Sequence, residues 1–331
     1  MNPVLAAFLR QHGWPLDQVT PFPADWSARR YARLHRETAH VITESHLPAP
    51  ERAILMEAMP DADFLAFIRV DEILRTLQIA APEIYAADTA QGYLVLEDFG
   101  DRNFGRLLDD SLQTDGGKEA VPLFLRAVDS LCQIQRRSLA HPALMPGLPR
   151  FDSMALIDLL TPLLDNFTYQ DPAGAKAALQ EVWYKALAPC AAMPHALLLR
   201  DFMPDNLMDI PARADGQTVG VLDFELAGVG PLAYDVASLT EQVRRDLPDE
   251  LRQAVYAAYL RQWPELEPVG FIDSVHLLSV QRHARTFARL KLMQKPDFYI
   301  RTFSFLQQQL QHPACRSVRG WFTRFMPDYF S

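Results

Sequence analysis

The sequence predicts an α+β protein in which a small lobe of antiparallel strands with a helix precedes a larger, mainly helical lobe. Three observations carry this. Short β-rich runs fill the first hundred residues. Long stretches with helical spacing take over after Gly100. Hydrophobic residues make up 49% and charged residues 22% of the 331 positions, the composition of an ordinary globular chain. The expected domains are 1–100 and 101–331.

The elements follow in order. Val4, Leu5, Phe8 and Leu9 recur at helical spacing, and Gly13 and Pro15 end that helix. Residues 29–60 read as the strands RRYARLH, HVITES and AILMEAM, interrupted by Pro48 and Pro50. A helix over about 61–78 has Phe64, Phe67, Ile68 and Leu74 on one side, and the strand YLVLEDF (93–99) follows Pro82. Helices are then expected over about 103–111, 119–139, 153–166 and 174–189. HALLLRD (195–201) is apolar and then abruptly charged. NLMDI (206–210) and TVGVLDF (218–224) flank Asp215-Gly216, a strong hairpin turn. From 234 onward the pattern is helical, with breaks at Pro248, Pro264, Pro268 and Pro296.

Composition narrows the function classes. The net charge is −9, so a nucleic-acid partner would need a local basic patch, and none is expected. Three scattered cysteines give neither a disulfide framework nor a CxxC spacing. No apolar run reaches membrane-span length, and the N-terminal residues lack signal-peptide features, so a cytoplasmic location is expected. Only five of 32 basic residues are lysine, and none precedes Lys118.

The chemistry-bearing stretch is 197–235. A hairpin returns the chain to its start, so Asn206, opening one strand, faces Asp223, closing the other. Asp201 sits at the mouth of the same loop. Two carboxylates and an amide oxygen suit Mg²⁺, a hard ion that shares its coordination with water and phosphates. One carboxylate remains to accept a hydroxyl proton, the arrangement of phosphoryl transfer. Taken singly, each is more readily a turn or cap residue.

Here the chain resembles a known family. RDFMPDN, VLDFE and GPLAYDVASL match the catalytic-loop, metal-binding and following segments of the protein-kinase-like aminoglycoside/choline phosphotransferases. SARRYARL, AILMEAMP, APEIYAAD, YLVLEDFGD, YDVASLTEQVRRDLP and QRHARTFARL are similar to the bacterial kinases of cell-wall recycling that phosphorylate the anomeric hydroxyl of N-acetylmuramate and N-acetylglucosamine. The resemblance implies a bilobal kinase-like fold, ATP and Mg²⁺ as cofactors and a small amino-sugar as substrate, and leaves the oligomeric state open. Asp201 would orient the attacking hydroxyl, and Asn206 and Asp223 would hold Mg²⁺. Asp235 would brace the catalytic loop, with a helix N-cap as its plainer role. Glu97 and Phe99 would offer backbone groups to adenine, and Ser27 would cradle phosphate.

Departures from the family pattern are specific. Leu199 replaces a histidine, the phosphate loop near Ser27 has no glycine, and the third-strand lysine is absent. A cation must still offset phosphate charge. Arg29, Arg30 and Arg33 are the candidates. Strand alternation puts Arg30 and Arg33 on opposite faces, and Arg30 is the choice. Arg282, Arg285 and Arg289 share one helix face, which suits an acidic sugar, although a solvated face would look the same. Arg244 is a further substrate candidate, but Gln242 stands where relatives often carry Asp. A kinase for a cationic alcohol, a nucleotide-binding module without transfer activity and a protein kinase are the competing readings. GVGPLA (228–233) formally fits a dinucleotide fingerprint but follows a hairpin rather than opening a βαβ unit. The Phe- and Trp-rich end is expected to be core.

Overall fold

The computed structural model describes residues 2–23, 29–37, 51–213, 216–293 and 295–330. They divide into two compact units, Met1–Arg102 with Met208–Leu226, and Asn103–Leu207 with Ala227–Ser331. The sequence predicts a mainly helical lobe over 101–331, interrupted by β signals; in the structure the segment 208–226 packs with the first unit.

In the first unit, α1 (Pro3–Gln11) starts where the Asn2 side chain accepts from the Val4 amide at 2.9 Å and a proline occupies the first turn. β1 (Val19–Pro21), β2 (Arg30–His35) and β3 (Arg52–Glu57) precede α2 (Ala62–Thr76), which is capped by Asp61. β4 (Ile84–Asp88) and β5 (Tyr93–Glu97) complete an antiparallel sheet of order β1-β2-β3-β5-β4. The strand expected over HVITES falls outside the described residues. Leu5, Phe8, Leu9 and Trp14 pack against Ala32, Leu34, Ala53, Leu55 and Val95, one face of the sheet. Each buried leucine, valine or phenylalanine among them contributes roughly 1.5–3 kcal/mol of apolar burial. Segment 208–226 joins this unit through Met208, Ile210 and Leu222, which cluster with Ala80 and Phe99. The Val221 amide donates to the Ala80 carbonyl at 2.9 Å. Gly220 is required there, since a Cβ would lie 2.6 Å from the Phe99 ring.

The second unit begins with α3 (Phe104–Thr114), α4 (Val121–Ala140), α5 (Ser153–Asp158) and α6 (Thr161–Asn166). The single helix predicted over 153–166 is two, because Pro162 cannot continue the preceding hydrogen-bond ladder and instead opens α6. α7 (Pro172–Ala186), α8 (Ala188–Ala192) and β6 (His195–Leu198) follow. β7 (Leu207–Asp209) and β8 (Val219–Val221) pair as a two-stranded sheet, as the turn signal predicts. β9 (Gly228–Pro231) was not foreseen: GVGP pairs antiparallel with β6. Its glycines serve packing, since a Cβ on Gly228 would lie 2.4 Å from the Phe151 ring.

α9 (Ala233–Thr240) is buried along its whole length. α10 (Asp249–Gln262) and the long α11 (Pro268–Leu290) are followed by α12 (Pro296–Gln309) and α13 (Arg316–Phe325). The aromatic end is core: Phe287 stacks on Tyr299 and Phe303 at 4.9 and 5.3 Å, and Trp321 and Phe322 are buried. Among the described residues, no helix is long and apolar enough to cross a membrane.

Candidate active site

In the second unit, β6 delivers the chain to Leu199, Arg200 and Asp201. Arg200 has φ 68°, a left-handed conformation that costs a bulky residue roughly 1–2 kcal/mol and must be held by its surroundings. Asp235 holds it. Its two carboxylate oxygens accept from the amides of Leu199 at 2.7 Å and Arg200 at 2.9 Å. The Ser238 hydroxyl donates to the Arg200 carbonyl at 2.8 Å, so two residues of α9 grip one strained peptide. Asp235 lies inside the first turn of α9 and bonds this loop rather than capping its own helix. Burial pushes its carboxyl up to about 7, against the pull of those two amides and of Arg282.

Asp201 is partly exposed, and its carboxylate lies 3.5 Å from the Arg282 guanidinium. Its carbonyl accepts from the Asn206 side-chain amide at 2.9 Å. That bond fixes the amide orientation, so the Asn206 oxygen is the atom suited to a hard cation. Between them, Asp205 anchors the loop. Its carboxylate takes two bonds from Arg245, at 2.7 and 3.0 Å, and Arg245 makes two more to Asp109, at 2.7 and 2.9 Å. Asn103, which caps α3, also donates to the Asp205 carbonyl at 2.6 Å.

The substrate candidates separate. Arg282 lies over the Tyr234 ring at 5.4 Å, and Arg285 is close enough to Tyr234, Arg200, Arg282 and Asp201 for their charges to act on it. Burial, together with the two neighbouring guanidiniums, lowers the Arg285 pKa from its ordinary value. Arg289 is exposed and Arg244 is exposed beside Asp205 at 3.5 Å. Arg245, rather than Arg244, makes the buried connection. Sequence gives no means of choosing between adjacent arginines in a stretch without regular structure.

In the first unit, Asp223 has φ 57°, while the next side chain, Phe224, is buried and stacked on Phe67 of α2 at 4.7 Å. Anchoring the phenylalanine leaves the Asp223 carboxylate about half exposed. The cation beside it is Arg29, 3.8 Å from Asp223 and 2.8 Å from Glu225, rather than the expected Arg30. Arg30 shares the β2 face of Ala32 and Leu34 but is exposed at the strand end. Arg33 is committed to Asp98 and Asp101, each at 2.8 Å. Ser27 lies outside the described residues.

Glu97 and Phe99 turn their side chains to structural work. The Glu97 carboxylate takes two bonds from Arg213 at 2.6 and 2.7 Å, and the Phe99 ring packs on the 208–226 segment. The Glu97 amide is already taken, donating to the Glu83 carbonyl at 2.8 Å.

Each donor type by itself suits Mg²⁺: a half-exposed carboxylate at Asp223 in the first unit, and an oriented amide oxygen at Asn206 in the second. That ion takes one or two protein oxygens and completes its shell with phosphates and water. Among the described residues, no group of three or more His, Cys, Asp or Glu forms a self-sufficient metal cage.

Comparison with known proteins identifies the family and the fold. The model of the phosphotransferase enzyme family matches residues 18–269. An N-acetylmuramate/N-acetylglucosamine kinase of Caulobacter vibrioides is 30% identical, covering 97% of this chain and 96% of its own. A protein of the same description from Pseudomonas putida is 27% identical, covering 85% of this chain and 80% of its own. Among solved structures, the GDP complex of wild-type aminoglycoside 2'-phosphotransferase-IIIa superposes with a TM-score of 0.64 at 12% identity, over 93% of this chain and 98% of that one. A choline/ethanolamine kinase family protein from Mesorhizobium loti gives 0.57 at 15% identity, over 96% and 93%. The chain belongs to the phosphotransferase enzyme family and has the protein-kinase-like α+β fold. It is a phosphotransferase with an alcohol group as acceptor.

Proposed function

We propose that the enzyme transfers the γ-phosphoryl group of ATP to a hydroxyl of an amino sugar, the anomeric hydroxyl of N-acetylmuramate or N-acetylglucosamine, in the cytoplasm. The observation that carries this reading is Asp201, a partly exposed carboxylate on a loop held by Asp235 and Arg245 and flanked by Arg282. The names of the relatives supply the sugar.

In this reading Asp201 orients the acceptor hydroxyl and takes its proton as the oxygen attacks the γ-phosphorus. The bond from that phosphorus to the bridging oxygen breaks, and ADP leaves. Asn206 and Asp223 are the proposed Mg²⁺ ligands. When bound, the ion would supply charge neutralisation to the phosphates. Arg29 takes the role of the missing lysine, because it already stands beside Asp223. The Glu97 carbonyl and Phe99 backbone are offered to adenine.

A cationic acceptor fits less well. Arg282 lies directly beside Asp201, and Arg200 and Arg285 act on the same neighbourhood, so an ammonium group brought to Asp201 would meet like charges. A coupled assay of ADP release tests the reading across amino sugars, uronic acids, aminoglycosides and choline. Turnover is expected with the amino sugars. Turnover confined to aminoglycosides or choline would overturn it.

A further inference from the structure

The Arg282–Arg285 neighbourhood holds more positive charge and more unused hydrogen-bonding capacity than the protein itself satisfies. Arg282 Nη1, Arg285 Nε, Arg200 Nε and the Tyr234 hydroxyl are all buried without a hydrogen-bond partner. Among the described residues, Arg285 makes neither a hydrogen bond nor an ion pair. Arg200 is turned onto the face of Phe151 at 4.4 Å. The nearby carboxylates do not absorb the charge. Both oxygens of Asp235 are already taken by the Leu199 and Arg200 amides, and Asp201 reaches only Arg282, at 3.5 Å.

A guanidinium stays charged at any ordinary pH, so it cannot escape burial by losing a proton. An uncompensated buried charge is costly, and a chain that keeps one beside its reactive carboxylate has placed it for a ligand. The ligand must be anionic and must also bring a hydroxyl to Asp201. A planar guanidinium matches a carboxylate with two parallel bonds.

We propose that Arg285 and Arg282, with the Tyr234 hydroxyl, form an anion subsite that receives the carboxylate of the acceptor sugar while its hydroxyl lies at Asp201. This deepens the amino-sugar reading and rests on it. It divides the two sugars that the relatives' names join: N-acetylmuramate carries a carboxylate, on its lactyl ether, and N-acetylglucosamine carries none. The subsite makes the acidic sugar the preferred acceptor. Arg285 and Arg282 thereby determine specificity without taking part in the proton transfer.

The test compares N-acetylmuramate with its carboxamide, in which the charge is removed and the size kept. With the wild-type enzyme the amide is expected to lose about tenfold or more in kcat/KM, mainly through KM, as befits a lost charge-assisted hydrogen bond. In Arg285→Met the acid and the amide should converge to within about twofold, and Arg285→Lys should restore part of the difference. Equal use of acid and amide by the wild type overturns the subsite, and this arm needs no variant to fold. An equal loss for both acceptors in Arg285→Met also overturns it, since that pattern belongs to a group serving the transferred phosphoryl or the loop. If the wild type phosphorylates N-acetylglucosamine but ignores the carboxylate, the subsite alone falls. If it phosphorylates neither sugar, the amino-sugar reading falls and the subsite with it.

Discussion

Asp201 is the proposed acceptor of the hydroxyl proton, and its neighbours set how well it takes it. Replacing its carboxylate with an amide removes the acceptor for that proton while keeping shape. Asp201→Asn should therefore lower kcat by about 10²–10⁴-fold, with ATP binding retained in a calorimetric titration. A second prediction separates two adjacent arginines. Arg29 stands beside Asp223 and Glu225, whereas Arg30 is exposed. Arg29→Ala should raise the KM for ATP about tenfold or more, and Arg30→Ala should leave it within about twofold. The reverse order in steady-state kinetics would return the role to Arg30. Asp201, Asn206 and Asp223 can be singled out in the sequence because a hairpin brings its two ends together and the first loop carries a further carboxylate. The arginines cannot. Alternation says that Arg30 and Arg33 differ in face, but not which face is used, and the residue beside Asp223 lies one position before the strand begins.

Two elements carry hidden constraints on stability and geometry. In α2, Asp71 is 2% exposed, and its Oδ1 has no hydrogen-bond partner. Burial pushes its carboxyl up to about 7. The folded state thus holds the proton more tightly than the unfolded chain, whose aspartates titrate near about 3.9. The stability this confers is full below about pH 4 and is lost as pH rises through about 7. Asp71→Asn should accordingly gain on the wild type by ~2 kcal/mol between pH 5 and pH 8 in chemical denaturation. A gap that stays constant across that range would contradict the assignment. Around α3, Arg245 ties Asp205 to Asp109 and so positions the loop from Asp201 to Asn206. Arg245→Ala should lower kcat about tenfold in steady-state kinetics, because the loop that carries Asp201 and Asn206 loses its anchor. Arg245→Lys should recover only part, since a lysine cannot form both two-pronged pairs. Helix existence was readable from periodicity, but the break between α5 and α6 and the strand β9 were not. Pro162 sits within a pattern that remains apolar on both sides. GVGP shows no alternation at all, because its glycines are selected for the close approach of Phe151 and Leu198.

At the scale of the whole molecule, a chain of net charge −9 concentrates arginines around Asp201 and keeps lysine out of its first 117 residues. Overall charge therefore says little about the acceptor, and the local field says more. The division at 208–226 follows from the same logic of local packing. The hairpin strands are too short to stand alone, and Ala80 and Phe99 supply the apolar partners that segment needs. Sequence pattern alone assigns it to the helical part, because contacts between residues more than a hundred positions apart leave no periodic trace.

The most direct test of the central claim is a single-turnover assay with Mg-ATP and N-acetylmuramate, with the product examined by phosphorus and proton NMR, for the wild type and for Asp201→Asn. The wild type should give one sugar phosphate per ADP, with phosphorus coupled to the anomeric proton, and that product should collapse in the variant. Phosphate on another hydroxyl, no sugar phosphate at all, or undiminished product in Asp201→Asn would contradict it.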